Sequence, residues 1–182
     1  MHPVTPDQNR DRQGADMTYL LTWVCYGTWV PGQGGAIPRR QNQYGAPLPE
    51  GDALLEHQSR IRMIQEPYLL DTSRRQAVLQ SIQQVCSCRG WTLWAAHIRT
   101  NHVHVVAAAN CKPELVMNAM KACSSRALNH CTPERADRRR WARHGSTRYL
   151  WTDDAVRAAI HYVVHEQGTA MAVFENIPTP HG

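Results

Sequence analysis

Two apolar runs, at 91–98 and 102–109, are separated by only three residues, Arg99-Thr100-Asn101. Both runs are rich in residues that favour strands: Trp91, Thr92, Trp94 and Ile98 in the first, Val103, Val105 and Val106 in the second. A link that short joins neighbouring antiparallel strands, so the chain contains a hairpin that other elements must cover. The second strand opens Asn101-His102-Val103-His104, and alternation places both histidines on one face. Two imidazoles side by side on a rigid element supply half of a divalent metal site. An isolated His-x-His is more often a pair of satisfied strand histidines, and that bland reading holds unless the rest of the chain completes a site.

Residues 1–16 are polar and read as a disordered tail. From Thr18 to Tyr26 the chain is apolar and reads as a strand ending near Gly27. Residues 31–67 are rich in Gly, Pro, Gln and Arg and read as a long loop insertion, in which Arg39-Arg40 is a solvated pair or a phosphate contact. Asp71-Thr72-Ser73 is helix N-cap chemistry, Val78, Leu79, Ile82, Val85 and Cys86 recur at helical spacing, and Gly90 marks the stop. Pro113-Glu114 opens a second helix with Leu115, Val116, Ala119, Met120, Cys123 and Ala127 as its stripe. A fourth strand follows at 146–151, and Thr152-Asp153-Asp154 caps a last helix, 155–167, with Val156, Ile160 and Val163 inward and Gly168 at its end. Residues 171–182 read as a tail with at most a short extension. The order β-α-β-β-α-β plus a helix predicts an α+β, ferredoxin-like split βαβ domain over 17–170: a four-stranded antiparallel sheet with an added C-terminal helix.

With 182 residues and 42% hydrophobic content the chain buries one core. Its formal charge is +5, with Arg far outnumbering Lys, which suits a polyanionic partner such as nucleic acid. The densest positive run is 134–144. Arg138, Arg139, Arg140, Arg143 and Arg148, interleaved with Trp141, Tyr149 and Trp151, make a candidate surface for gripping a DNA backbone and stacking its bases. Lys121 and Arg126 on the second helix complete the expected DNA-binding set; a merely solvated charge run is the alternative. The six cysteines form no Cys-x-x-Cys pair. Cys86-x-Cys88 with His97 downstream is a zinc candidate, against free thiols in a reducing cytoplasm. Neither a signal peptide nor a run of about 20 apolar residues is present, so the expected location is the cytoplasm and no membrane partner is expected.

The last helix carries the chemistry that the histidines lack. At about 100° per residue, Tyr162 and Glu166 lie within roughly 40° of each other, with the small Ala155, Ala158 and Ala159 on the same side. If that face covers the histidine strand, two imidazoles, a carboxylate and a phenol meet. That set suits metal-assisted attack of a phenolate on a phosphodiester, giving a covalent phosphotyrosine. Tyr149 is the rival nucleophile, but it falls on a strand without a carboxylate at helical spacing.

His102-Val103-His104 followed by the single helical Tyr162 resembles the HUH single-tyrosine transposases of the IS200/IS605 type and the related REP-associated tyrosine transposases. The opening Leu21-Thr22-Trp23 with Tyr26-Gly27-Thr28-Trp29 is similar to the first strand of many members. The resemblance spans roughly 18–167. It implies a ferredoxin-like fold, a Mg²⁺ or Mn²⁺ cofactor, single-stranded DNA with hairpin ends as substrate, and cleavage to a 5′-phosphotyrosine and a free 3′-OH. It further implies His102 and His104 as metal ligands, Tyr162 as nucleophile, and a homodimer. Family members typically carry Gln or Asn four residues after the tyrosine, where this chain has Glu166, with Gln167 next. A carboxylate suits either ion, so Glu166 is the expected third ligand. Gln167, the alternative, lies roughly 140° from Tyr162 on an ideal helix and requires an irregularity to serve. Two other functions compete: a non-catalytic single-stranded nucleic-acid-binding module on the same fold, and a hydrolase of another His-x-His type. The second lacks the Asp-His that would have to follow His104.

Overall fold

The computed structural model describes residues 16–33, 51–131 and 133–176. Nine elements follow in order: β1 Met17–Val24, α1 Ala53–Ile61, α2 Thr72–Arg89, β2 Thr92–Ile98, β3 His102–Ala109, α3 Pro113–Cys131, β4 Ser146–Leu150, α4 Asp153–His165 and β5 Ala172–Glu175. The strands form one antiparallel sheet in the order β4-β1-β3-β2-β5. The first four are the expected split βαβ arrangement, with the histidine strand β3 at the centre between β1 and β2.

Local chemistry sets the helix ends. Asp71 caps α2 by accepting from the Arg74 amide at 2.8 Å, and Gly90 ends it in the left-handed region at φ 66°. Thr152 caps α4 through the Ala155 amide at 3.2 Å. Two elements were not anticipated. α1 lies inside the segment expected to be loop; it is capped by Asp52, and although Leu54, Leu55 and Ile61 give it apolar residues, they stay exposed and it buries no residue. β5 lies in the expected tail and extends the sheet by pairing Ala172 with Ile98 and Phe174 with Ala96. Arg39 and Arg40 fall outside the described residues, as does nearly all of the expected N-terminal tail.

The sheet has a core on each face. On one side α2 and α3 bury Tyr19, Leu21, Trp23, Ile98, Val103, Val105 and Ala107. On the other, α4 alone lies across the strands, packing Ala159, Ile160 and Val163 against Ala95, Val106 and Leu150. The pleat therefore sends Val103 and Val105 into the larger core and His102 and His104 toward α4.

Candidate active site

Register places four side chains in a row across the α4 face. Thr22 pairs with Ser146 on one side and with His104 on the other, and His104 pairs with His97. His102 stands one step along β3, its ring centroid 4.8 Å from that of His104. Tyr162 projects from the rim of the α4 stripe, its ring 5.7 Å from His104 and edge-to-face with it. The tyrosine is 39% exposed, so the ring reaches solvent although it rests on a buried histidine.

Each histidine is held through one nitrogen. His102 Nδ1 donates to Asn101 Oδ1 at 2.7 Å, which leaves Nε2 with its lone pair. His104 Nδ1 shares a 2.8 Å hydrogen bond with the Thr22 hydroxyl. Burial, reinforced by repulsion from Arg99 and His97, pushes the His102 imidazole down to about 4. Burial, then the charges of His102, His97 and Arg99, pushes His104 to about 3, with a Gln167 side-chain hydrogen bond opposing. Both rings are thus neutral at physiological pH, the form that binds a metal. His97 is fully buried and spent: Nδ1 meets the Val163 carbonyl at 3.0 Å and Nε2 accepts from the Met171 amide at 3.3 Å.

The two candidates for a third ligand are placed differently. α4 ends at His165, and Glu166 is its C-cap, with φ −101° and ψ 7°. The Glu166 carboxylate turns to His161 Nδ1 at 3.0 Å, on the exposed side of the helix. Gln167, beyond the helix and followed by the left-handed Gly168 (φ 74°), donates to the Tyr162 carbonyl at 3.1 Å, and its side chain lies near enough to His104 to oppose the lowering of that imidazole's pKa. The ideal-helix angle that counts against Gln167 does not apply past the helix end. Among the described residues, no group of three or more His, Cys, Asp and Glu side chains is placed to hold a metal. Two imidazoles with the Gln167 amide are a donor set that fits a divalent ion, and a neutral one.

The remaining expectations divide. Tyr149 pairs with Tyr19 in the sheet and so faces away from the histidines. Cys86 is buried against the α2–α3 core, Cys88 is exposed, and His97 lies on the opposite sheet face, so no zinc site forms there. Lys121 is buried; its ammonium donates to the Ala142 and His144 carbonyls at 3.0 and 3.1 Å, and burial lowers it to about 8. Arg140 is buried too, paired with Glu134 at 2.7 Å and bonded to Asn129 at 2.8 Å. Arg138 binds the carbonyls of Glu66 and Pro67 and lies over Tyr68, while Trp141 donates from Nε1 to Ser125 and the Lys121 carbonyl. Much of the basic run is therefore a clasp that ties 134–141 to 65–74. Arg139 and Arg143 are exposed. Arg148 pairs with Leu20 and so shares the face of the histidines. Arg126 is exposed on α3, across the sheet from them, bonded to Cys123. Thr22 and Asn101, which orient the histidines, carried no expectation of a role; Thr22 figured only within the Leu21-Thr22-Trp23 resemblance, as one of two threonine hydroxyls on β1.

The fold and site define a protein with a tyrosine poised over a histidine pair on an antiparallel sheet. Residues 61–164, more than half of the chain, match the family described as Transposase IS200 like. The chain belongs to the IS200-like transposases, a family of DNA-processing enzymes. A solved structure of a REP-associated tyrosine transposase bound to a REP hairpin is similar at 10% identity and a TM-score of 0.49, over 91% of this chain and 72% of that one. A comparison with curated proteins finds no match. No described helix is long and apolar enough to cross a membrane.

Proposed function

We propose that the protein cleaves and rejoins single-stranded DNA at hairpin ends, using Tyr162 as nucleophile and a divalent ion held by His102, His104 and Gln167. The observation that carries this reading is the Tyr162 ring lying 5.7 Å from the His104 ring of the same chain. Family membership supports DNA as the substrate, and a formal net charge of +5 is consistent with a polyanion. When bound, the ion supplies charge neutralisation and orientation for the phosphoryl oxygens. Asn101 and Thr22 hold the rings, and α4 holds the phenol. The Tyr162 oxygen attacks phosphorus; the new O–P bond replaces the bond to the 3′ oxygen, which departs as a hydroxyl once it has gained the proton that tyrosine lost. The bond energy is retained in the 5′-phosphotyrosine, and the reverse attack rejoins the strand.

Gln167 is preferred to Glu166 because its side chain lies near enough to His104 to influence that ring, whereas Glu166 is turned to His161. Nitrogen and amide donors without a carboxylate favour Mn²⁺ over Mg²⁺, which prefers carboxylate oxygens. The homodimer expected from the family is not needed to complete the site, since both halves come from one chain. A cytoplasmic location fits a DNA substrate. The test uses labelled single-stranded DNA from the flanks of the gene with Mn²⁺. A denaturation-resistant protein–DNA adduct that disappears in Tyr162→Phe is the expected result. Retained binding with no adduct on any hairpin would instead support the non-catalytic module.

A further inference from the structure

We propose that Tyr149 and Trp151, on the outer edge of the sheet, form a stacking subsite for an unpaired nucleobase of the DNA strand that Tyr162 cuts; the proposal rests on single-stranded DNA being the substrate. The two rings are nearly parallel, 9° apart with centroids at 5.1 Å. Both are solvent-facing, Tyr149 40% and Trp151 58% exposed, and neither belongs to either core. Tyr149 is braced edge-on by the buried Tyr19 at 5.1 Å, whose hydroxyl donates to the Cys111 carbonyl. The pair is therefore a fixed stack rather than two mobile side chains, and the free face of Trp151 is where a further planar ring continues it.

The surroundings fit a nucleotide strand. β4 is the last strand of the sheet on this side. Thr147 shares the Tyr149 face and lines a cavity of about 280 Å³ with Asn118, Arg143 and His144. Arg143 is exposed and makes no ion pair among the described residues, leaving its charge for a phosphate beside the stacked base. Glu114 also lines the cavity and accepts from the Thr147 hydroxyl at 3.4 Å, which keeps phosphate at the rim rather than inside. On the other side of β4, Ser146 and Arg148 share the face of the histidine row. A strand that rounds the β4 edge thus passes from the scissile position to the aromatic pair, which anchors it without choosing among bases.

The experiment measures binding of a labelled mixed-sequence single strand to the Tyr162→Phe protein, with and without Trp151→Ala. Loss of one stacked base is expected to weaken binding about 5- to 100-fold without changing its salt slope, and Trp151→Phe recovers part of the loss. Removing single bases along the strand should then cost the parent at one position where it costs the alanine variant nothing. Unchanged affinity in Trp151→Ala, or equal sensitivity of both proteins at every abasic position, overturns the proposal. A change of oligomeric state in Trp151→Ala would make the stack a contact between copies of this chain, which also overturns it. Failure of the parent to bind any single strand would bring down the proposed function as well, so the two failures are distinct.

Discussion

The protonation state of His102 and His104 matters as much as their placement. An ordinary imidazole competes with a metal below about pH 6.5. Here the rings stay neutral down to about 4 and about 3, so Mn²⁺ affinity should be nearly flat from pH 8 to pH 6 by calorimetry. The same burial has a cost in acid. The unfolded chain takes up protons from about pH 6.5 downward while the folded one does not, so stability falls with pH across the window from about 6.5 to about 3. His102→Ala should abolish adduct formation and leave DNA binding largely intact; equal loss of both would mark the ring as structural. Thr22→Val should weaken Mn²⁺ binding about 10- to 100-fold, because the partner that orients His104 is lost. Strand alternation alone makes the histidine pair legible in the sequence. The Thr22 contact is not, since it joins residues 82 positions apart and depends on the β1–β3 register.

Elements whose ends are written in neighbouring residues were legible: the Asp71 and Thr152 caps and the Gly90 stop all act where local chemistry predicts. What escaped was tertiary. α1 has no buried face, and β5 becomes a strand only because β2 offers an open edge. The end of α4 lies two residues short of the expected one, and that difference brings Gln167 to His104. Gly168 holds the turn at φ 74°, where a Cβ would touch nothing nearer than Arg99 at 3.7 Å, so Gly168→Ala costs only backbone strain, about 1–2 kcal/mol. It should weaken metal binding by displacing Gln167 while leaving the histidines in place. The basic run misled for a related reason: charge density does not reveal which arginines are consumed internally. Arg140→Ala removes the shorter of two ion pairs on Glu134 and the bond to Asn129, while Arg74 and Tyr68 still hold the carboxylate. It should cost about 1–2 kcal/mol in denaturant melts, whereas Arg139→Ala should leave stability within about 0.5 kcal/mol of the parent.

At the scale of the whole molecule, the two faces of the sheet divide the labour. α2 and α3 bury the larger core, and the opposite face is left for a single helix and the chemistry beneath it. That helix does not hang free. Its start follows β4 at one edge of the sheet, and its end runs through Gly168 into β5 at the other edge. Lifting α4 away would mean stripping β5 from β2 and releasing His97 from the Val163 carbonyl. Tyr162 and the histidines are therefore tied together within one polypeptide by contacts at both ends of α4. Complementation between defective copies should fail: an equimolar mixture of His102→Ala and Tyr162→Phe proteins is expected to form no adduct, and recovery of activity would show that helices exchange between chains. On the proposed mechanism each molecule would carry its own set of parts, and its turnover should not depend on meeting another.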